Sequence, residues 1–234
     1  MNNSIPSPDG GQVHTVESQY NVCLDLDREA GRAQLGLMAN YSWMADPKRL
    51  AFLFSRYKFV AKMLTGRQRA LEIGCADGFA TRIVRQAVPH VTATDFDPVF
   101  IADAKSQISQ QWPIDFKQHD ILKGPVPGNF DCAYSLDVFE HIPQAEEDIY
   151  IKNIIASMGA HGILIIGTPS LESQAHASNI SREGHVNCKS GLDLKAIFEK
   201  HFHYAFLFSM NDEVIHTGYH RMSQYLFILA CEPR

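Results

Sequence analysis

Residues 71–80 read LEIGCADGFA, an apolar run carrying one acid, Glu72, followed by Gly74, Cys75, Ala76, Asp77 and Gly78. Glycine tolerates positive φ and lets the backbone approach a ligand closely, and free N–H groups at a helix start can hold an anion. This turn is therefore a candidate cofactor cradle. A dinucleotide fingerprint, G-x-G-x-x-G, would need glycines at 74, 76 and 79; the chain has Gly74, Ala76 and Phe79, with Gly78 out of register. Glu72 at the strand tip would repel a pyrophosphate and attract an ammonium group. Both features favour a cofactor that carries an amino acid moiety. About 20 residues further on, Asp95 ends a second apolar run, where an acid can accept two hydrogen bonds from ribose hydroxyls. Phe96 is then placed against an adenine face, or else is a core aromatic. Arg56, in SRYKF, offers a bidentate partner for the cofactor's carboxylate, unless it is a solvated residue on an amphipathic helix.

Apolar periodicity supplies the elements that must position these residues. In DPKRLAFLFSRYKFVAKMLTG, Leu50, Phe52, Leu53, Tyr57, Val60, Ala61 and Leu64 recur at helical spacing, and Gly66 supplies a stop. Beyond it, the runs RALEIG, HVTATD, PIDFKQHD, DCAYSL and GILIIGTP alternate with the helix-like GFATRIVRQAV, PVFIADAKSQI and AEEDIYIKNIIASM. That alternation is the pattern of parallel strands joined by crossover helices. One more helix, GLDLKAIFEKHF, precedes YAFLFSM and SQYLFILAC, whose short connection suits an antiparallel pair. The chain thus divides into a polar, disordered tail over 1–12, an N-terminal helical cap over 13–66 and a cofactor-binding domain over 67–234.

Composition narrows the function classes. With 234 residues, 45% hydrophobic and 20% charged, the chain can bury a sizeable core as a globular protein. Lys+Arg number 21 against 26 Asp+Glu, for a net charge of −5, so no basic field attracts nucleic acid or anionic lipid, and neither is expected as a partner. Cys23, Cys75, Cys132, Cys188 and Cys231 are scattered without the close pairs of a zinc site and read as reduced thiols of a cytoplasmic protein. The first residues do not read as a signal peptide, and no apolar run approaches the roughly 18 residues of a membrane span.

LEIGCADGFAT resembles the acidic-x-G-x-G-x-G motif of class I S-adenosylmethionine-dependent methyltransferases, with Ala76 in place of the middle glycine. The resemblance continues in order through VTATDFD, FKQHDIL and FDCAYSLDVFEHIP, covers roughly residues 50–232, and is nearest to bacterial small-molecule enzymes of the ubiquinone-pathway type. It implies a Rossmann-like, seven-stranded α/β sheet, parallel with a C-terminal antiparallel hairpin and with helices on both faces. It further implies S-adenosylmethionine as cofactor and S-adenosylhomocysteine as product. Glu72, Gly74, Cys75, Ala76 and Gly78 would form the cradle. Asp120 would accept from the adenine amino group, unless it is only a turn cap, and Ile121 would pack on the ring. Leu136 and Asp137 would flank the methionine part.

Methyl transfer from a sulfonium is an in-line displacement, so the protein mainly orients the acceptor and, for a hydroxyl, takes up its proton. The irregular stretches SLESQAHASNISREGHVNCKSG and NDEVIHTGYHR are candidate acceptor loops. Of the eleven histidines, His141 in FEHIP lies nearest the expected methyl group, and similar positions hold the base in some small-molecule O-methyltransferases. His185 and His216, one in each loop, are the alternatives. Asp137 with Glu140 does not amount to a cluster of acidic ligands, so no metal is expected. The expected reaction is O-methylation of a small molecule such as a sugar or secondary metabolite, by a monomer or homodimer. The rival readings are N-methylation of a small amine, a nicotinamide-dependent oxidoreductase and a non-catalytic cofactor-binding protein.

Overall fold

The computed structural model describes residues 13–234, so the tail expected over 1–12 lies outside the described residues. The chain divides into two units, one ending at Leu35 and the other beginning at Gly36. In the first, Asn21 Oδ1 accepts from the Thr15 N–H at 3.0 Å ahead of helix α1 (Asn21–Ala30), which Gly31 ends at φ 70°.

The second unit begins with helices α2 (Leu37–Ala45) and α3 (Lys48–Met63), then alternates β1 (Arg69–Ile73), α4 (Thr81–Arg85), β2 (His90–Asp95), α5 (Pro98–Ser106), β3 (Asp115–Gln118), β4 (Phe130–Leu136), α6 (Glu147–Ser157) and β5 (Met158–Pro169). It closes with α7 (Asn179–Gly184), α8 (Gly191–Glu199), β6 (Phe202–Asn211), β7 (Val214–His216) and β8 (Tyr225–Pro233). One sheet runs β3-β2-β1-β4-β5-β8-β6-β7, parallel through β5 and antiparallel beyond it. Strand order reverses direction between β1 and β4. Ligands of open α/β sheets bind at such a switch point, outside the carboxyl ends of the strands.

Two cores flank this sheet, because successive strand residues face opposite sides. Ala70, Cys132 and Tyr134 face Tyr57 and Val60 of α3, Leu64 just past its end, and Val84 of α4. Leu71, Ile73 and Ala133 face Tyr150, Ile151 and Ile154 of α6 with Leu194 and Phe198 of α8. The same alternation sends Glu72 to the α3 side and Ser135, which accepts the Tyr150 hydroxyl at 2.8 Å, to the α6 side.

The parallel sheet with its antiparallel C-terminal pair is the expected one, with eight strands rather than seven. The extra strand is β7, in the stretch read as a loop. Asp212 at φ 49° reverses the chain, so Val214 pairs back onto Asn211 before β8 begins. The other irregular stretch contains a 3-10 turn (Glu172–His176) and α7, each too short to show a periodicity.

Candidate functional site

The cradle joins β1 to α4. Gly74 and Gly78 have φ of 76° and 64°, and a Cβ on Gly74 would lie 2.2 Å from Val138 Cγ2. Most N–H groups of the turn itself are engaged. Those of Gly74 and Cys75 donate to Thr94 O at 2.8 and 3.0 Å, and that of Ala76 donates to Asp95 Oδ2 at 2.9 Å. Gly78 and Phe79 donate to Cys75 O and Asp77 Oδ1. The loop thus folds onto the end of β2, and the N–H groups at the start of α4, which begins at Thr81, are the backbone donors left for an anionic ligand group. Burial pushes the Cys75 thiol up, which leaves it a packing group rather than a nucleophile.

Glu72 is 1% exposed. Its carboxylate accepts from Tyr57 and Thr81 hydroxyls at 2.6 Å each and from Tyr134 at 2.9 Å, pinning α3 and α4 to β1 beneath the cradle. Burial pushes its carboxyl up to about 7, against the downward pull of these hydroxyls. A pKa above the unfolded value means stability that is present at low pH and is lost as the pH rises from about 4.5 through about 7. Unfolding free energy is expected to fall by up to about 3 kcal/mol over that window. Urea melts of the wild type and Glu72→Gln at several pH values check this: an identical pH slope in both would exclude Glu72 as its source.

On one side of the cradle, Asp95 Oδ1 accepts the Asp97 N–H at 2.9 Å, leaving each carboxylate oxygen with spare acceptor capacity. Phe96 is 71% exposed. It lines a cavity of about 300 Å³ with Gln118, His119, Asp120 and Lys123. Asp120 caps the following turn through Leu122 N–H at 3.1 Å and pairs with Lys123 at 3.0 Å, while Ile121 is buried.

On the other side, Asp137 stands at φ 56° just after β4. Arg56, expected to stand ready for a cofactor carboxylate, is engaged with it: Nη1 lies 2.9 and 2.7 Å from the two Asp137 oxygens, and the guanidinium sits 3.8 Å from the centroid of the Tyr225 ring. Burial opposes the Arg56 charge, and Asp137 more than restores it. Arg56 Nε and the Tyr225 hydroxyl are buried with no hydrogen-bond partner among the described residues. Leu136 is buried against Gly167.

Of the three histidines, the fold brings two together. His141 and His185 have ring centroids 5.1 Å apart, and His141 Nε2 lies 3.9 Å from Glu140 Oε1. Burial and the neighbouring His141 pull His185 down, favouring neutral imidazole. Glu140 is 1% exposed, and burial together with Asp137 pushes its carboxyl up to about 8. His216 stands apart on β7, four strands beyond β4 in the sheet order and so about 19 Å along it. Both its nitrogens are used, Nδ1 accepting from Gly218 N–H at 2.9 Å and Nε2 facing Asn211 Oδ1 at 3.0 Å.

Two contributors escaped the sequence reading. Asp77 Oδ2 accepts the Ala39 N–H at 2.7 Å and Asp103 Oδ2 the Leu37 N–H at 2.8 Å, so two carboxylates cap α2 and tie it to the cradle and α5. Only Asp77, inside the glycine turn, carried a local signal. Glu140 was weighed with Asp137 alone, since nothing in the spacing tells that His185 returns to it.

Residues 70–162 match a family described as methyltransferase domain. An uncharacterized methyltransferase of Mycobacterium tuberculosis is 26% identical over 110 residues, 46% of this chain and 55% of that protein. A ubiquinone biosynthesis O-methyltransferase of Xanthomonas euvesicatoria is 24% identical over 144 residues, 56% of this chain and 55% of that one. The chain thus matches about half the length of these curated relatives. Among solved structures, the N-methyltransferase NodS from Bradyrhizobium japonicum in complex with S-adenosylhomocysteine superposes with a TM-score of 0.59 at 18% identity, covering 90% of this chain and 97% of that one. The fold is that of the class I S-adenosylmethionine-dependent methyltransferases. No helix among the described residues is long and apolar enough to cross a membrane.

Proposed function

We propose that the protein transfers a methyl group from S-adenosylmethionine to a small molecule, with a hydroxyl of a sugar or secondary metabolite as the acceptor. The observation that carries this reading is the order of groups along the carboxyl edge of the sheet. The cavity beside Phe96 and Asp120 and the Asp95 carboxylate flank one side of the cradle; Arg56, Asp137 and the histidine pair flank the other. Bound there, S-adenosylmethionine would supply an electrophilic methyl on a sulfonium. Asp95 would accept from the ribose hydroxyls, Phe96 and Ile121 would pack on the adenine, and Asp120 would accept from its amino group. Glu72 would act through the cradle it braces, and Asp137, shared with Arg56, is the acid placed beside the methionine part. Arg56 is already paired with Asp137, so what it has left for a carboxylate is one donor, its unpartnered Nε–H. Glu140, His141 and His185 form the acceptor side, where the free imidazole lone pairs are the groups able to relieve a hydroxyl of its proton.

Calorimetry with S-adenosylhomocysteine and with nicotinamide dinucleotides tests the cofactor. One equivalent of S-adenosylhomocysteine and no dinucleotide is expected, and the reverse would overturn the reading. Asp95→Ala removes charge-assisted bonds worth about 1.5–3 kcal/mol each, so affinity is expected to fall at least about tenfold in a folded protein. Unchanged affinity would remove Asp95 from the site. Mass spectrometry after incubation with S-adenosylmethionine and a panel of hydroxyl and amine acceptors then separates transfer to oxygen from transfer to nitrogen, the reaction the name of NodS carries. Binding without transfer to any acceptor would favour a non-catalytic protein.

A further inference from the structure

We propose that Glu140, His141 and His185 form a binding site for one divalent transition-metal ion of the zinc class, placed on the acceptor side of the crevice. One carboxylate oxygen of Glu140 and one ring nitrogen from each histidine lie within 4.8 Å of one another. The tautomers suit ligation. His141 Nδ1 is 2.8 Å from the Gly184 carbonyl oxygen, which can only accept, so Nδ1 carries the hydrogen and Nε2 keeps its lone pair. His185 Nδ1 is 2.9 Å from Gln174 Oε1. The Gln174 amide nitrogen donates to Ser170 O at 3.2 Å, which fixes the oxygen toward His185, so this Nε2 is free as well. Metal-ligating histidines characteristically donate their second N–H to a carbonyl in this way. The third ligand is also oriented: Glu140 Oε2 accepts the Thr168 hydroxyl at 3.0 Å.

The charge supports a cation. Glu140 is buried, and no Lys or Arg among the described residues lies within ion-pair distance of it, Arg56 being engaged by Asp137. A carboxylate taken out of water is costly unless a positive charge faces it. Two imidazoles and one carboxylate match the three protein ligands of open zinc sites, which leave a position for an exogenous oxygen. Imidazole nitrogen disfavours magnesium and calcium, which take oxygen ligands. Bonds of about 2.0–2.2 Å require the ligand atoms to draw in by about 1 Å, which side-chain rotation of the half-exposed His141 can supply. Gly184 keeps room for that ring, since a Cβ there would lie 3.2 Å from His141 Cε1. With the ion bound, both Nε2 lone pairs would be ligands and not bases; the open position would then hold an acceptor oxygen and make its proton easier to lose to water, a role that rests on the methyl-transfer reading, while metal binding itself does not.

The test uses the full chain, stripped with a chelator and dialysed, then titrated with zinc chloride by calorimetry and with cobalt chloride by visible absorption. One equivalent of each is expected, with ligand-field bands for cobalt, and no binding of magnesium chloride. His141→Ala and His185→Ala should each weaken zinc binding at least about tenfold, while His90→Ala and His161→Ala, at exposed positions, should leave it unchanged. Circular dichroism confirms that each variant is folded, and His185→Gln, which keeps the bulk, replaces any that is not. Absence of a one-equivalent site in the wild type, or a site that survives in the His141→Ala/His185→Ala double variant, overturns the proposal. S-adenosylhomocysteine binding measured on the same samples reports separately on the methyltransferase reading.

Discussion

His141→Ala is expected to lower turnover on a hydroxyl acceptor about a hundredfold to ten-thousandfold while leaving S-adenosylhomocysteine affinity intact. The imidazole is held by one hydrogen bond, from Nδ1 to Gly184 O, and packs edge-on against His185. Its removal therefore leaves the cradle and the cavity beside Phe96 untouched. His185→Ala should show a similar loss, because the two rings and Glu140 form one cluster, and effects within such a unit do not add. His216→Ala should change little, since both its nitrogens are committed and β7 lies at the far edge of the sheet. Single-turnover rates measured beside calorimetry keep a loss of chemistry apart from a loss of cofactor. If His141→Ala and His185→Ala both turn over at near-wild-type rates with a flat pH profile, the acceptor arrives as a neutral amine, and orientation alone is the protein's contribution.

Gly74→Val is expected to abolish measurable S-adenosylhomocysteine binding and to lower the melting temperature. Two effects act together. A β-branched side chain at φ 76° is strained by about 1–3 kcal/mol, and its Cβ would start 2.2 Å from Val138 Cγ2, where overpacking costs about as much again. Val138 directly follows Asp137 and precedes the turn that carries Glu140 and His141. Pushing it away therefore separates the β1 loop from the β4 loop, between which the cofactor would lie. Gly74→Val/Val138→Ala removes the contact but not the strain, so it should recover part of the melting temperature and little of the affinity. A folded Gly74→Val that binds normally would reduce the glycine turn to a structural bend.

What the sequence determined by itself is what short stretches of chain determine. The glycine turn after RALEI, the acid ending HVTATD, and the alternation of apolar runs with helical segments follow from local backbone freedom and side-chain period, and they put a turn after β1, Asp95 at the end of β2 and the parallel strands in order. The C-terminal antiparallel pair was legible for the same reason, because its connection is too short for a crossover. The tertiary structure decided the partners of the charges that matter most at the candidate site. Glu72 reads as an exposed strand-tip acid, yet strand alternation and the packing of α3 surround it with three hydroxyls. Arg56 reads as an open clamp, yet it meets Asp137, 81 positions along the chain. His185 reads as one loop histidine among several; only the return of α7 beside the turn after β4 sets it against His141 and Glu140. Periodicity reports how a segment meets its own neighbours, whereas a charge takes its partner from whatever the fold brings within a few ångströms, and that distance appears in no local pattern of residues.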